Sequence, residues 1–492
     1  MTPPGPSEDE TLRAYGYDQR LDRSIGRFAS FCIGFSVISA TTAVYSGFGL
    51  GLLKAGPAFV WTFPIAVAVF LIWAVIAGDL ASKIPLSGYA YQWTSRLVGP
   101  TLGWFTGYAG LIGFTSGFTG IAYTLAAYLS GLFGVSFTLY QQLAVTAGVI
   151  LLCVLINVYG VRFATRLNNI GVSLEFTVTI GATALVAAIV AFSGDMQPLS
   201  YLVSTGDVTS SPFVWAWLAS SLGCIFGLLG VEAAADVAEE TKDARKIIPR
   251  TMFYALGASA VVEFVMYVVF LLCIKDPETV LASGAPIETI MSEQISPVFS
   301  KIVVAVALTN ILVCVLANML VATRLLYAMA RDNMTPFADR LSAVSSRHKT
   351  PSAAVWTTGG ISLVFLLTSL LSPTAFAYII GMCTLGYFTV YILTTAGLMV
   401  ADRRGTFPEP TPDTFDLGSR RRAVHRVGML CFVIIALAML LLPDYRANSI
   451  AFAVVMALGL FWWALRLRGR LALGDAGPAF AQRRIQREPV RD

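Results

Sequence analysis

Runs of about twenty apolar residues recur along the whole chain, and the basic residues between them fall almost entirely on alternate loops. No other feature limits the fold as severely. A helical run of that length matches the hydrocarbon core of a bilayer. Lipid in turn tolerates only backbone whose polar groups are paired internally. The runs lie near 28–52, 57–78, 101–131, 139–158, 168–192, 213–237, 251–273, 298–329, 352–371, 374–400, 424–442 and 447–465. They predict an all-α integral membrane protein with twelve transmembrane helices.

If the chain starts in the cytoplasm, only Lys54, Lys275, Lys301 and Arg446 of the 34 Lys and Arg residues fall on outer loops. This is the asymmetry that the positive-inside rule demands, and a miscounted span would scramble it. Both termini are therefore expected in the cytoplasm and the protein in the cell membrane, its partner the lipid bilayer. The expected division is an arm over 1–27, a transmembrane domain over 28–465 and a basic tail over 466–492. That tail is read as disordered or resting on the anionic inner leaflet. The Pro-containing outer loop after span 7 is expected to hold a short helix. No basic start precedes an apolar core, so no cleaved signal peptide is expected.

Composition agrees with this reading. Only 13% of residues are charged and the mean hydropathy is +0.71, far from a soluble domain. A net charge of +5 is too small to argue for nucleic acid. The seven cysteines lie in apolar runs without a CxxC pair and read as buried small hydrophobes. His348 and His425 lie in basic loops, which argues against a His-based metal site. No cofactor is implied.

Two runs look interrupted. The first carries Ser39, Thr41, Thr42 and Ser46 among Gly34, Gly47, Gly49 and Gly51. The sixth passes Gly227 and Gly230 and then takes on Glu232 and Asp236 without leaving the apolar stretch. A carboxylate in hydrocarbon is costly and marks a functional candidate, and glycine lets a helix loosen beside it. Interrupted helices at matching positions of two halves point to a transporter site. Their separation predicts two inverted five-helix repeats, about 28–192 and 213–400, plus two C-terminal helices over 424–465. A half-helix N-terminus offers N–H groups to an anion, and loosened carbonyls suit an ammonium group; a zwitterion needs both. Asp236 shares a face with Glu232 if the helix resumes. Glu175 and Glu263 are further acids inside spans. Glu239 and Glu240 are read as interfacial partners of Lys242, Arg245 or Arg331. Gly107, Gly110, Gly113, Gly117 and Gly120 form a small-residue stripe for close helix packing.

Three loop motifs add a family. DLASKIPLSGYAYQW (Asp79 to Trp93), GVEAAADVAEETKDARKIIPR (Gly230 to Arg250) and TRLLYAMARDNMTPFADRLSAV…KTP (Thr323 to Pro351) occur in this order after spans 2, 6 and 8. Together they resemble the amino acid–polyamine–organocation (APC) superfamily, and most closely its amino acid/choline transporter branch. The resemblance implies a site between broken helices 1 and 6. It implies substrate contacts at Ser39, Ala40, Thr41, Thr42 and Ala43, which meet a carboxylate, and at Phe226, Gly227 and Gly230, which meet an amino group. Phe226 would be an aromatic gate and Glu232 a proton or amine partner. Two departures stand out: Thr41-Thr42-Ala43 replaces a Gly-rich loop, and span 5 carries Glu175 where some proton-coupled members carry Lys.

The function read from these features is secondary active transport of an amino acid or amino-acid-like amine by alternating access. Coupling to a proton or sodium would run through Glu232, Asp236 or Glu175. Choline, GABA or polyamine uptake or exchange by the same fold is the alternative, and a channel-like conductor of small organic cations is the alternative of another class. An enzyme is not expected: HExxH, GxSxG and His/Cys clusters are missing. No Gly-Lys pair occurs, which excludes a P-loop pump.

Overall fold

The computed structural model describes residues 8–206, 213–368, 370, 375–410 and 414–487. The last five residues of the expected tail lie outside this set. Within it the chain is helical, and its one strand-like contact is an isolated bridge between Ile25 and Thr241.

In order, the helices are α1 (Glu8–Ala14), α2 (Arg27–Ile38), α3 (Ala40–Ala55), α4 (Thr62–Lys83), α5 (Tyr89–Leu97), α6 (Pro100–Phe133), α7 (Leu139–Val158), α8 (Val161–Leu174) and α9 (Ile180–Ser193). There follow α10 (Phe213–Leu228), α11 (Ala233–Asp236), α12 (Ala244–Leu272), α13 (Pro277–Ala282), α14 (Pro286–Gln294), α15 (Pro297–Arg331) and α16 (Ala338–Leu341). The last are α17 (Ser352–Thr368), α18 (Ala375–Arg404), α19 (Arg421–Leu441), α20 (Arg446–Trp462), α21 (Arg468–Leu473) and α22 (Pro478–Arg487). Among the described residues, 10 helical stretches are long and apolar enough to cross a membrane. One of them, Arg27–Lys83, contains α2, α3 and α4, and α17 is a shorter apolar helix beside the ten.

Local chemistry sets many of the boundaries. Pro occupies the first turn of α6, α13, α14 and α15, where its missing N–H costs nothing. Thr138 and Gln141 form a capping box that starts α7. The loop after α12 holds two short helices, α13 and α14, where one was expected.

The glycine stripe of α6 packs against α15 and α18. A Cβ on Gly386 would lie 2.6 Å from the Gly113 nitrogen, and one on Gly113 3.0 Å from the Tyr387 ring. Only glycine permits this approach of α6 to α18.

The C-terminal segment differs from expectation. Residues 468–473 and 478–487 are helical, and the tail folds back on the bundle. Gly477 N–H donates to the Asp332 carbonyl at 2.8 Å and the Asn333 amide to the Asp475 carbonyl at 2.6 Å. The N-terminal arm meets the same point. Tyr17 donates to Asp332 Oδ1 and Tyr91 to Oδ2, each at 2.7 Å, and the Arg331 guanidinium lies 3.6 Å over the Tyr17 ring. Burial first, and then the Asp332 charge, push the Tyr17 phenol above its ordinary range. The disordered alternative for the tail does not hold over these residues, because specific hydrogen bonds tie it to the bundle.

Candidate functional site

The first interruption is a single residue. Ser39 separates α2 from α3 with φ 37° and ψ 99°. Such a conformation costs a buried non-glycine residue about 1–3 kcal/mol unless its surroundings hold it. Here they do. The Ser39 hydroxyl accepts the Thr42 N–H at 3.2 Å and meets the Thr42 hydroxyl at 2.8 Å. The Ser39 carbonyl takes the Ala43 N–H at 2.9 Å. Thr41 N–H donates to Glu175 Oε1 at 2.8 Å, and the Ser39 hydroxyl reaches the same oxygen at 3.3 Å. Glu175 opens a five-residue π-turn, Glu175–Thr179, between α8 and α9. Turns of this kind re-aim side chains and occur often at functional sites.

The second interruption follows α10. The chain turns at residues 229–232, with Gly230 at φ 90°, before the single turn of α11. A Cβ on Gly230 would strike Val37 Cγ1 at 2.6 Å. The two broken helices also cross closely further along: a Cβ on Gly223 would lie 2.6 Å from the Gly47 carbonyl oxygen. Gly223→Val is therefore expected to cost about 1–3 kcal/mol by overpacking. Differential scanning fluorimetry in detergent checks it; an unchanged midpoint would mean that α3 and α10 can part without loss.

Between the two interruptions lies a buried cavity of about 20 Å³, room for about one water. Thr42, Ala43, Phe226 and Gly227 form part of its wall, and Val37 and Ile38 bring the end of α2 to it. Ser39, Ala40 and Thr41 belong to the break behind that wall. Gly230 stands beside the Tyr387 hydroxyl. The Phe226 ring meets Phe376 edge-on at 6.4 Å. The wall residues that the sequence reading did not assign to the site include Cys314 and Asn318 of α15, and Cys383 and Tyr387 of α18. Asn318 donates to the Cys314 carbonyl at 3.0 Å and to the Val37 carbonyl at 3.4 Å, so it ties α15 to the end of α2. An amide inside an apolar run was the available signal.

Glu232 lies one layer behind the cavity. Its Oε2 accepts the Trp73 indole N–H at 2.9 Å and the Tyr391 hydroxyl at 3.3 Å, with the two rings 4.1 Å apart. Tyr387, on the cavity wall, lies 6.1 Å from Tyr391. Among the described residues no side chain bonds Glu232 Oε1 or Asp236, and the Gly88 backbone faces the Asp236 carboxylate. The two acids share one apolar surround, and neither forms an ion pair among the described residues.

The next two acids match an expectation in part. Glu239 takes Arg331, one of its expected partners, but Glu240 does not, and both acids are buried within the bundle. Glu239 pairs with Arg331 through bonds of 2.7 and 2.5 Å, and Glu240 with Arg324 through two of 2.8 Å. Neither Lys242 nor Arg245 takes part in these pairs. The segment after α11 folds inward as a 3-10 turn, Ala238–Glu240, under the last turns of α15. Glu239 also accepts the Ser87 N–H at 3.1 Å. The three sequence motifs thus meet at one end of the bundle and seal it. Beside them Lys83 pairs with Asp79 at 2.7 Å and Asp416 at 2.6 Å. The hydrogen bond from Lys83 holds the Asp416 carboxyl below its usual range.

At the other end of α15 the molecule is open. A polar vestibule of about 700 Å³ is lined by Ser130, Gln142, Glu288, Ser292 and Glu293 among others. Burial pushes the Glu288 carboxyl up, against the pull of Lys301. The rings of Tyr45 and Tyr128, 4.7 Å apart, lie close to Glu288. Among the described residues no His, Cys, Asp and Glu cluster could hold a metal ion.

A model of the amino acid permease family matches residues 25–463, which include both helix interruptions, the cavity and all three motifs. The chain belongs to this family. Amino-acid permease 2 of Neurospora crassa is 26% identical over 415 residues, covering 81% of this chain and 76% of that protein. Amino-acid permease BAT1 of Arabidopsis thaliana is 24% identical over 493 residues, covering 93% and 94%. The thiamine transporter thi9 of Schizosaccharomyces pombe is 22% identical over 448 residues, covering 82% and 75%. The permease is thus a multi-pass membrane transporter of the APC superfamily and not an enzyme.

Proposed function

We propose that this permease carries an amino acid or amino-acid-like amine across the cell membrane by alternating access, with both termini in the cytoplasm. Twelve helices would do this, as inverted repeats over 28–192 and 213–400 with two appended helices over 424–465. The observation that carries the reading is the meeting of two interrupted helices at one buried cavity. Such breaks supply backbone polar groups at mid-membrane depth only where they line a site.

In this reading Ser39 to Ala43 face the substrate carboxylate, and the backbone at Phe226, Gly227 and Gly230 faces its amino group. Phe226 closes over it. The cavity is too small for an amino acid, the Glu239–Arg331 and Glu240–Arg324 pairs close the inner end, and the vestibule is open at the outer end. The described state is then an occluded one that leans outward. Glu232, Asp236 and Glu175 are the coupling carboxylates, with a proton or sodium as the driving ion. A second reading, a carboxylate-free cation, draws support from the Thr41 N–H being engaged already and from the relative named as a thiamine transporter.

The test is uptake by proteoliposomes offered labelled amino acids, GABA, choline and polyamines under imposed proton or sodium gradients. Saturable uptake of an amino acid that follows one gradient is expected. Non-saturating ohmic flux would replace the transporter reading with the channel one.

A further inference from the structure

The half-helix N-terminus at which the reading above places a substrate carboxylate already holds one. Glu175 Oε1 takes the Thr41 N–H and the Ser39 hydroxyl. The next two N–H groups of α3 are spent on Ser39 itself. Glu175 is 2% exposed and forms no ion pair among the described residues. The titratable groups that face it are Glu263 of α12, one of whose oxygens takes the Ser259 hydroxyl at 3.0 Å, and Cys314 of α15. From α2 comes Phe35, its ring 4.8 Å from Phe176, and from α15 the Asn310 amide, 3.2 Å from the Thr179 hydroxyl. None of these is a cation. The carboxylate therefore rests on the N–H end of α3 and the hydroxyls beside it, with no cation to hold it. Thr41 adjoins Thr42 on the cavity wall, and the π-turn beginning at Glu175 breaks the regular helix at this residue.

We propose that Glu175 is an internal competitor for the substrate carboxylate, and that it yields the Thr41 N–H by taking up a proton. The inference rests on the amino acid reading above and supplies its coupling step. Two carboxylates cannot both stay ionised at one N–H end in an apolar surround. When the substrate carboxylate arrives, a proton from the aqueous phase that the site then faces forms an O–H bond on Glu175 Oε1. That oxygen changes from acceptor to donor, and the Thr41 N–H and Ser39 hydroxyl turn to the substrate. Release on the other side reverses each step and returns the proton to water. One proton accompanies each carboxylate-bearing substrate. An amine without a carboxylate leaves Glu175 in place and binds without a proton.

The experiment compares wild type with Glu175→Gln, which keeps an acceptor for Thr41 N–H. Proteoliposomes receive a mixture of the twenty labelled amino acids, or a mixture of the corresponding decarboxylated amines. For wild type the half-saturation for amino acids should rise about tenfold per pH unit on the alkaline side, as one linked proton requires. The amines and the Glu175→Gln variant should show no such slope. Phenol red in unbuffered detergent solution gives a second measure that needs no variant: one proton taken up per amino acid bound, and none per amine. A Glu175→Gln variant that keeps the wild-type slope, or equal proton uptake with amines, overturns the inference and leaves amino acid transport standing. Wild-type failure to take up any amino acid at any pH overturns both.

Discussion

Arg324→Leu is expected to cost the folded permease about 3–5 kcal/mol, the usual result of removing one member of a buried ion pair. Both side chains of the Arg324–Glu240 pair are fully buried, and the guanidinium grips both carboxylate oxygens. With leucine in its place Glu240 keeps its burial and loses its counter-charge. Replacing both residues by leucine should restore most of the stability, because desolvation of two ions offsets much of their attraction. Thermal unfolding midpoints of the two single variants and the double variant make the cycle. A single variant that loses less than about 1 kcal/mol would show that water reaches the pair, since exposed pairs are worth no more than that.

Arg324 also shows where sequence reading reaches its limit. Its charge at the end of an apolar run looks like a positive-inside anchor, whereas Arg331 is already one of three candidate partners for Glu239 and Glu240. Which acid lies beneath each depends on the inward fold of Ala238–Glu240, and loop composition carries no trace of that. The helices themselves were legible because a bilayer demands long apolar runs. The breaks were legible because Ser39, Gly230 and Glu232 are residues that a continuous apolar helix has no reason to carry. The partners of those breaks were not. Glu175 was visible as an acid inside a span, yet nothing near it in the chain indicates Thr41. Asn318 and Tyr387 reach the cavity only through the packing of α15 and α18 on α6. The tail misled for the opposite reason: an Arg-rich segment with few large apolar residues has no core to bury, but it can still be held by Asp332 and Asn333.

Glu232→Gln is expected to lower coupled uptake tenfold or more while barely moving the unfolding midpoint. The two effects separate because glutamine keeps the shape and can still accept the Trp73 N–H, so the contacts of the turn survive. What it loses is negative charge one layer behind a cavity whose wall carries none. A hydrogen bond or close contact to a charged group is worth about 1.5–3 kcal/mol, a factor of ten to a hundred or so in half-saturation. The acid also stands with Asp236 in an apolar surround without a cation, so in the resting state protons or a bound cation must offset the pair. Glutamine removes one of those two sites and with it a place to carry the coupling charge. Uptake by proteoliposomes between pH 5 and 8 measures the loss. Wild-type uptake by the variant across that range would make Glu232 a structural acceptor that only tethers the turn to Trp73 and Tyr391, and would leave Asp236 and Glu175 as the acids that carry the coupling charge.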